Sequence, residues 1–364
     1  MEFEHKDKFN KLTQHLSKIL IDNPFSLLDV GCSGGIDSVW KRFDTSLIAI
    51  GIDPIISECK RLQEQEFNSN IKYIPGLILS KTNKLYNQSY SDPYDRLSGH
   101  YYSTIAKKQQ TVEKCDQLLV LNNWQDMQLS VKNINVGSTV NDNPINLNFT
   151  KIDTIPDIDI TIDQLVNDMN RNLDFIKIDI DGNDFEVLES AIDTINNSPV
   201  LGVAIEINFH GRDEDNSNTF HNVDRTLRKL GFDLFDLTSR KYTSAKLPGK
   251  FVFNMFAQTS HGRIYQGDAI YLRDPVAITQ ANNPIVCPEL SLYKIIKLAC
   301  LFELFGLPDH AAELLIHYSS VLNNIINIDE CLNILTKEVT GQDITYNDFI
   351  EATIKDPTIL FPNN

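Results

Sequence analysis

The chain has 364 residues, 42% of them apolar, and its 33 Lys and Arg against 49 Asp and Glu leave a net charge of −16. That length suits one large domain with an appendage. An acidic chain with no basic stripe lacks the electrostatic footprint of a nucleic-acid binder, so no nucleic-acid partner is expected.

The start, MEFEHKDKFNKL, has no apolar signal-peptide core, and residues 1–24 read as an N-terminal helix. From residue 25 strand and helix signals alternate. SLLDVG is a strand, GIDSVWKRF a helix start, SLIAIGID a strand, SECKRLQEQEF a helix and IKYIPGLIL a strand. Such alternation predicts right-handed βαβ units and a parallel sheet. It blurs over 80–150, where NKLYNQSYSDPYDRLSGHYYS is polar and aromatic and LLVLNNW and PINLNFTKI look like extra strands. Then it resumes with FIKIDID (strand), NDFEVLESAIDTI (helix), VLGVAIEI (strand) and NVDRTLRKLGF (helix). DLFDL and DAIYLR follow as antiparallel closing strands. Residues 288–356 have helical spacing and predict three or four helices. In that segment Leu292, Ile295, Ile296, Ala299, Leu301, Phe302 and Phe305 form an apolar face that must be buried, on the sheet domain or on a second copy. A homo-oligomer through these helices is one such arrangement. No apolar run, PVLGVAI included, approaches the roughly 20 residues of a membrane span. The six cysteines are scattered with no C-x-x-C pair, which argues against a zinc site and a disulfide scaffold. A soluble, cytoplasmic protein is the expectation.

The stretch SLLDVGCSGGIDSVW raises the functional question. A glycine turn between strand and helix places backbone N–H groups and a positive helix end beside a ligand. The order Gly31-Cys32-Ser33-Gly34-Gly35 does not match the dinucleotide pattern G-x-G-x-x-G. Asp29, two residues before the first glycine, would repel a pyrophosphate and suit a cation such as S-adenosylmethionine (SAM), which carries a sulfonium and an ammonium. Asp53, at the tip of the second strand, can take both ribose hydroxyls through charge-assisted hydrogen bonds worth about 1.5–3 kcal/mol each. NAD enzymes share that second feature, so Asp29 is what discriminates. An ordinary tight turn in an α/β domain is the competing reading.

The second constellation is FIKIDIDGNDFEVLESAIDTINNSPVLGVAIEINFHG, residues 175–211. Asp179 at a strand end, Gly182, the acidic helix start at Asp184, and VLESA followed by VAIEI resemble the signature of the FkbM-type SAM-dependent methyltransferases. The upstream ITIDQLV and downstream NTFHNVDRTLRKLGFDLFDL and QGDAIYLRDP are similar to the same family, and the resemblance spans about 25–275. It departs at Asp181-Gly182-Asn183-Asp184, where the family usually has Glu-Gly-Ala-Glu. The resemblance implies an α/β fold with a seven-stranded Rossmann-like class I methyltransferase sheet over 25–275, to which the helical spacing of 288–356 adds an all-helical C-terminal appendage. It implies a SAM-dependent O-methyltransferase acting on a hydroxyl of a sugar, glycan or glycosylated metabolite. Asp29, Gly31, Cys32 and Gly34 would surround the methionine part and Asp53 would hold the ribose. Asp179 would face the methyl donor at the crevice of the open sheet. Glu206 and His210 would end the next strand near the acceptor.

His210 is the expected general base. It follows VLGVAIEI by three residues, and an imidazole of unperturbed pKa about 6.5 is largely neutral near pH 7. Asp179 and Glu206 compete for that role, and a purely structural His210 is the alternative. A calcium loop starting at Asp179 fails, because glycine stands fourth and Ser190 occupies the twelfth position. No metal site is assigned, and Asp181 and Asp184 read as caps for the following helix. His221 reads as a cap, a packing residue or a substrate contact, and His310 and His317 as core or surface. Tyr86, Tyr90, Tyr94, Tyr101 and Tyr102, with Arg96 and His100, suggest a sugar-stacking lid in the 80–150 insertion, where substrate choice is expected. The rival functions are an NAD(P)-dependent oxidoreductase and a non-catalytic scaffold whose helical appendage docks a partner.

Overall fold

A computed structural model describes residues 11–78, 159–169, 172–180, 183–211, 217–243, 257–259, 262–280 and 288–360. The aromatic lid residues, the strand-like LLVLNNW and PINLNFTKI, and Asp181 and Gly182 lie outside the described residues.

The apolar runs become strands. β1 (Phe25–Val30), β2 (Leu47–Asp53), β3 (Ile71–Pro75), β6 (Phe175–Ile178) and β7 (Gly202–Asn208) pair in parallel in the order β3-β2-β1-β6-β7. β1, β6 and β7 are buried at every position because packed layers cover both faces of the sheet. β11 (Arg263–Leu272) adds antiparallel beside β7, and its outer edge carries β8 (Asp233–Leu237) and β9 (Arg240–Thr243). With β10 (Ala257–Thr259) on β9, the sheet has nine strands among the described residues, against the seven expected. The two extra strands extend the antiparallel edge. β4 (Leu77–Ile78) and β5 (Asp159–Ile160) form a separate two-stranded pair.

The helices are α1 (Lys11–Ser17), α2 (Ile56–Gln65), α3 (Ile162–Met169), α4 (Asp184–Glu189), α5 (Ile192–Asn197), α6 (Phe220–Lys229) and α7 (Pro275–Gln280). The C-terminal group is α8 (Leu292–Leu304), α9 (Pro308–His317), α10 (Ser319–Leu322), α11 (Ile328–Thr340) and α12 (Tyr346–Lys355). Two expectations are corrected here. No α-helix follows the glycine turn; a 3₁₀ segment, Trp40–Ser46, stands there instead. The carboxylate of Asp37 accepts the N–H of Val39 at 2.9 Å, a local bond that competes with helix initiation. The single helix expected over NDFEVLESAIDTI is two. Ser190 Oγ donates to the carbonyl of Val187 at 2.8 Å and accepts the N–H of Ile162, while Asp163 accepts the N–H of Thr194 at 2.7 Å and starts α5 afresh.

Alternation along each strand sorts the core into two layers. Leu27, Ala49, Phe175, Ala204, Ile270 and Leu272 face one side, and Leu28, Ile176, Val203, Ile205 and Tyr271 the other. The first layer receives α8, whose Ile295, Ile296, Leu298, Ala299, Leu301 and Phe302 are all buried. Trp40, Phe175 and Phe305 form a ring cluster there, with Trp40 and Phe175 centroids 4.6 Å apart and Phe305 5.6 Å from Phe175. The apolar face that could have joined two copies is covered by the chain's own sheet.

Buried charge fixes that packing. Asp174, just before β6, takes Lys294 Nζ at 2.7 Å, Lys297 Nζ at 2.8 Å and the N–H of Ser26 at 2.7 Å. The two ammonium groups also donate to the carbonyls of Leu173 and Pro24 at 2.8 Å. Glu303 of α8 closes the other end, accepting the N–H groups of Leu12 and Thr13 at the start of α1 at 2.6 and 2.7 Å. Burial, with Glu338 nearby, pushes its carboxyl up to about 8. An unfolded glutamate ionises near 4.5, so this group weakens the fold as pH rises from that value to about 8.

Replacing Asp174 by Ala leaves two buried ammonium groups without their carboxylate. A loss of about 3–5 kcal/mol is expected by denaturant unfolding. An unchanged midpoint would show that α8 is held by apolar contact alone.

Candidate active site at the carboxyl edge of the sheet

The first-layer positions change character as the strands approach their carboxyl ends. Register places Asp29 beside Gly51 on one side and Lys177 on the other, and Lys177 beside Ala204. Two residues further, β7 and β11 bring Glu206 opposite Asp268 and Asn208 opposite Gln266. With a strand period of two, Asp29, Lys177, Asp179, Glu206, Asn208, Asp268 and Gln266 belong to one face, directly beyond its apolar core. Asp53 ends β2 beside them.

The glycine turn is packed chiefly against the chain itself. Gly31 has φ +84°, and a Cβ there would come within 1.8 Å of the carbonyl oxygen of Asp179, so glycine is required for the close approach of the β6 end. The N–H groups of Gly31 and Cys32 both donate to the carbonyl of Ile52, at 2.9 and 3.3 Å. Cys32 is buried, its Sγ lying where any Cβ at residue 51 would sit. Gly34 (φ +85°) has open space around its Cα, and its N–H donates to Glu58 Oε1 at 3.1 Å. Arg61 holds Glu58 at 2.6 Å, and this pairing keeps the Glu58 carboxyl below its ordinary value. Glu58 therefore already takes the Gly34 donor, and no α-helix start adds to the turn.

At the end of β1 the cation facing Asp29 is the chain's own. Lys177 Nζ lies 2.9 Å from Asp29 Oδ1, 3.6 Å from Asp179 Oδ2 and 3.4 Å from the carbonyl of Gly31. Burial alone would discharge the lysine, but the two carboxylates outweigh it and hold the ammonium above its ordinary value. At Asp29 burial wins over Lys177 and the carboxyl stands above its usual range. At Asp179 burial also pushes upward, yet Lys177 and the other positive charges outweigh it, and the carboxyl lies below its ordinary value. Asp53 is pushed up to about 6 by burial, against the N–H of Ile55 that its Oδ1 accepts at 2.8 Å.

A second cluster stands across the sheet. Arg240 of β9 pairs with Glu206 and lies 3.5 Å from Asp268 Oδ1. His210, just past β7, has Nε2 2.6 Å from the carbonyl of Ile264 and its ring 5.0 Å from that of Tyr265. A carbonyl only accepts, so Nε2 carries the proton and any proton acceptance falls to Nδ1. Asp184 does not cap α4: its Oδ1 reaches back to the N–H of Ile180 at 2.9 Å and fixes the loop after β6. His221 contacts Thr219 at the start of α6, and His310 packs against Phe235 and Phe302.

Thus Asp29, Gly31, Asp53 and Asp179 converge on one edge, with Glu206 and His210 at its neighbouring end. Sequence reasoning missed Lys177, Arg240, Asn208 and Asp268. Lys177 had a readable signal, a charge inside the apolar run FIKI, whereas Arg240 had none. The arrangement gathers carboxylates about one buried ammonium, that of Lys177. Among the described residues no group of three His, Cys, Asp or Glu is placed to hold a metal ion, and no helix is long and apolar enough to cross a membrane.

Residues 88–234 match the family model described as the methyltransferase FkbM domain. The match bears out the resemblance carried by the 175–211 motif and supports a methyltransferase in general. It runs into β8 and includes β5, β6 and β7, whereas the glycine turn and the C-terminal helices lie outside it. No curated protein matches the chain.

Substituting Lys177 by Met should strand Asp29 and Asp179 beside one another. A loss of about 3–5 kcal/mol is expected, partly restored when Asp29→Asn is added. Thermal denaturation of the parent and the two variants checks this, and equal stability of Lys177→Met and the parent would refute the buried triad.

Proposed function

We propose that a chain carrying this methyltransferase domain is a SAM-dependent O-methyltransferase, working in the cytoplasm on a hydroxyl of a sugar, glycan or glycosylated metabolite. The observation that carries the reading is the acidic carboxyl edge: Asp29, Asp53 and Asp179 around a glycine turn whose outward N–H already meets Glu58. A pyrophosphate there would face carboxylates and would lack a helix N-terminus, which weighs against the NAD(P) alternative. In this reading the ammonium of SAM lies toward Asp179 and its ribose at Asp53, while Lys177 keeps Asp29 and the Gly31 carbonyl. When bound, SAM supplies a methyl carbon that leaves sulfur for the acceptor oxygen, the electron pair remaining on sulfur.

The chain's own part is to align the acceptor and take its proton. Alignment can lower the barrier by about 7–11 kcal/mol in favourable cases. For the proton, Glu206 is tied to Arg240 and Asp179 to Lys177, and a carboxylate held ionised by a cation is a poor base. His210 is the proposed base through Nδ1. The 80–150 segment is proposed to choose the acceptor.

Calorimetric titration with SAM and with NAD(H) separates the cofactor readings, and labelled-methyl transfer separates enzyme from scaffold. Asp53→Ala should weaken SAM binding about tenfold or more with the fold intact. The carboxyl of Asp53 titrates at about 6, so its proton-free form is lost as pH falls through that value. SAM affinity should therefore decline below about pH 6 in the parent and stay flat in Asp53→Asn. His210→Ala should keep SAM affinity and lose about 10²-fold in kcat, the loss shrinking at high pH. Near-normal kcat at pH 7 would remove His210 as base.

A further inference from the structure

The start of α1 is gripped by two carboxyl groups from the C-terminal helices. Glu303 of α8 accepts the N–H groups of Leu12 and Thr13 and, at 2.6 Å, the hydroxyl of Thr13. Glu338 of α11 accepts the N–H of Lys11 at 2.9 Å. The two carboxyls are also hydrogen-bonded to each other. Such a bond exists only while one of them carries a proton, so the pair holds one and titrates as a unit. The donors of α1 favour the charged form of Glu303, but burial and Glu338 outweigh them and keep the proton on up to about 8, against 4.5 for an ordinary glutamate. Cys300 of α8 and Cys331 of α11 also act on Glu303, and burial raises both thiols, which leaves them uncharged in this range. Elsewhere along α1, His15 lies 3.8 Å from Glu330 of α11. Glu338 is half-buried, which gives the pair its route to water. The helix so held is a junction. Its Leu12 and Leu16 are fully buried in the core that also contains Trp40 and Phe43, and it packs on Trp40–Ser46, α8 and α11 together.

We propose that the Glu303–Glu338 pair is a proton-held latch: with the shared proton in place α1 is fixed to the C-terminal helices, and when the proton leaves α1 opens as a local unit. Without the proton two carboxylates face each other in a poorly hydrated place, and opening α1 admits the water that solvates them. The sign follows from linkage. The closed state keeps a proton that the open state releases, so the closed state is favoured at low pH and loses ground as pH rises toward the closed-state titration. Opening would also uncover Trp40–Ser46, the segment that follows the glycine turn, so the latch reaches the carboxyl edge through the fold. It does not depend on what that edge binds.

Hydrogen exchange of the full chain, read by mass spectrometry and corrected for the pH dependence of the chemical step, tests the latch. An opening that releases one proton grows about tenfold per pH unit between the open and closed titrations and then levels off. The peptide covering α1 should therefore lose protection about tenfold per unit from about pH 6 to pH 8 and little more above that. The loss should be steeper than in the peptide covering β1, which reports wider unfolding. Glu338→Gln gives Glu303 a permanent donor and removes the second carboxyl, so the α1 slope should flatten. A slope that survives Glu338→Gln belongs to His15 and Glu330 and overturns the latch. The parent alone also decides: α1 protection that ignores pH, or that falls in parallel with β1, overturns it whatever the variant does.

Discussion

Buried charge at both ends of β6 is the constraint on which the rest of the molecule depends. The strand is only four residues long, Phe175–Ile178, and sits at the centre of the sheet between β1 and β7. Asp174 at its amino end binds two lysines from α8, and Lys177 near its carboxyl end binds Asp29 and Asp179. Moving these ions out of water costs several kcal/mol apiece, and the cost is met only when partners and hydrogen bonds are in place together. A shift of β6 by one residue would put Lys177 among the apolar side chains of the second layer and leave both carboxylate clusters unpaired. The ions thus set register more than they add stability. They also connect the two ends, since the strand whose carboxyl tip carries Asp179 is the strand whose amino end anchors α8.

The sign and place of the charge decide what the carboxyl edge can accept. Two unit charges 4 Å apart interact by about 4 kcal/mol at an effective dielectric constant near 20, enough to reject the wrong ligand outright. A dinucleotide site of this general shape offers unopposed N–H groups and a helix start. Here the N–H groups of Gly31 and Cys32 go to Ile52 and that of Gly34 to Glu58, while the segment after the turn is 3₁₀. What the turn leaves on offer is carbonyl and carboxylate oxygen. Lys177 tempers this, its ammonium standing between two carboxylates.

The β1, β2 and β6 part of the carboxyl edge was legible in the sequence, and the β7, β9 and β11 part was not. That β1, β2, β3, β6 and β7 are strands of a parallel sheet follows from period and alternation, and Asp29, Asp53 and Asp179 from their positions at strand ends. GIDSVWKRF misled because its helical spacing competes with the local Asp37–Val39 bond, and NDFEVLESAIDTI because Ser190 and Asp163 together restart the helix. Lys177 was visible as an ion in an apolar strand, but its partner Asp29 lies 148 residues away, and only the fold brings them together. Likewise Arg240 meets Glu206 across a separation of 34 residues, through a four-residue strand with no periodic signal.

That asymmetry has a structural cause. The parallel strands are buried on both faces, so their residues must be apolar except where a partner waits, and each exception can be read. The antiparallel edge built from β8, β9 and β11 is partly open to solvent, and there a polar residue is ordinary until its neighbours are known. β11 joins the two regimes. Its Ile270 and Leu272 belong to the apolar first layer, and two residues earlier on the same face Asp268 meets Glu206 and Arg240. One strand therefore carries the face from core to carboxyl edge, and the Glu206–Arg240–Asp268 cluster inherits its position from the same packing that holds α8.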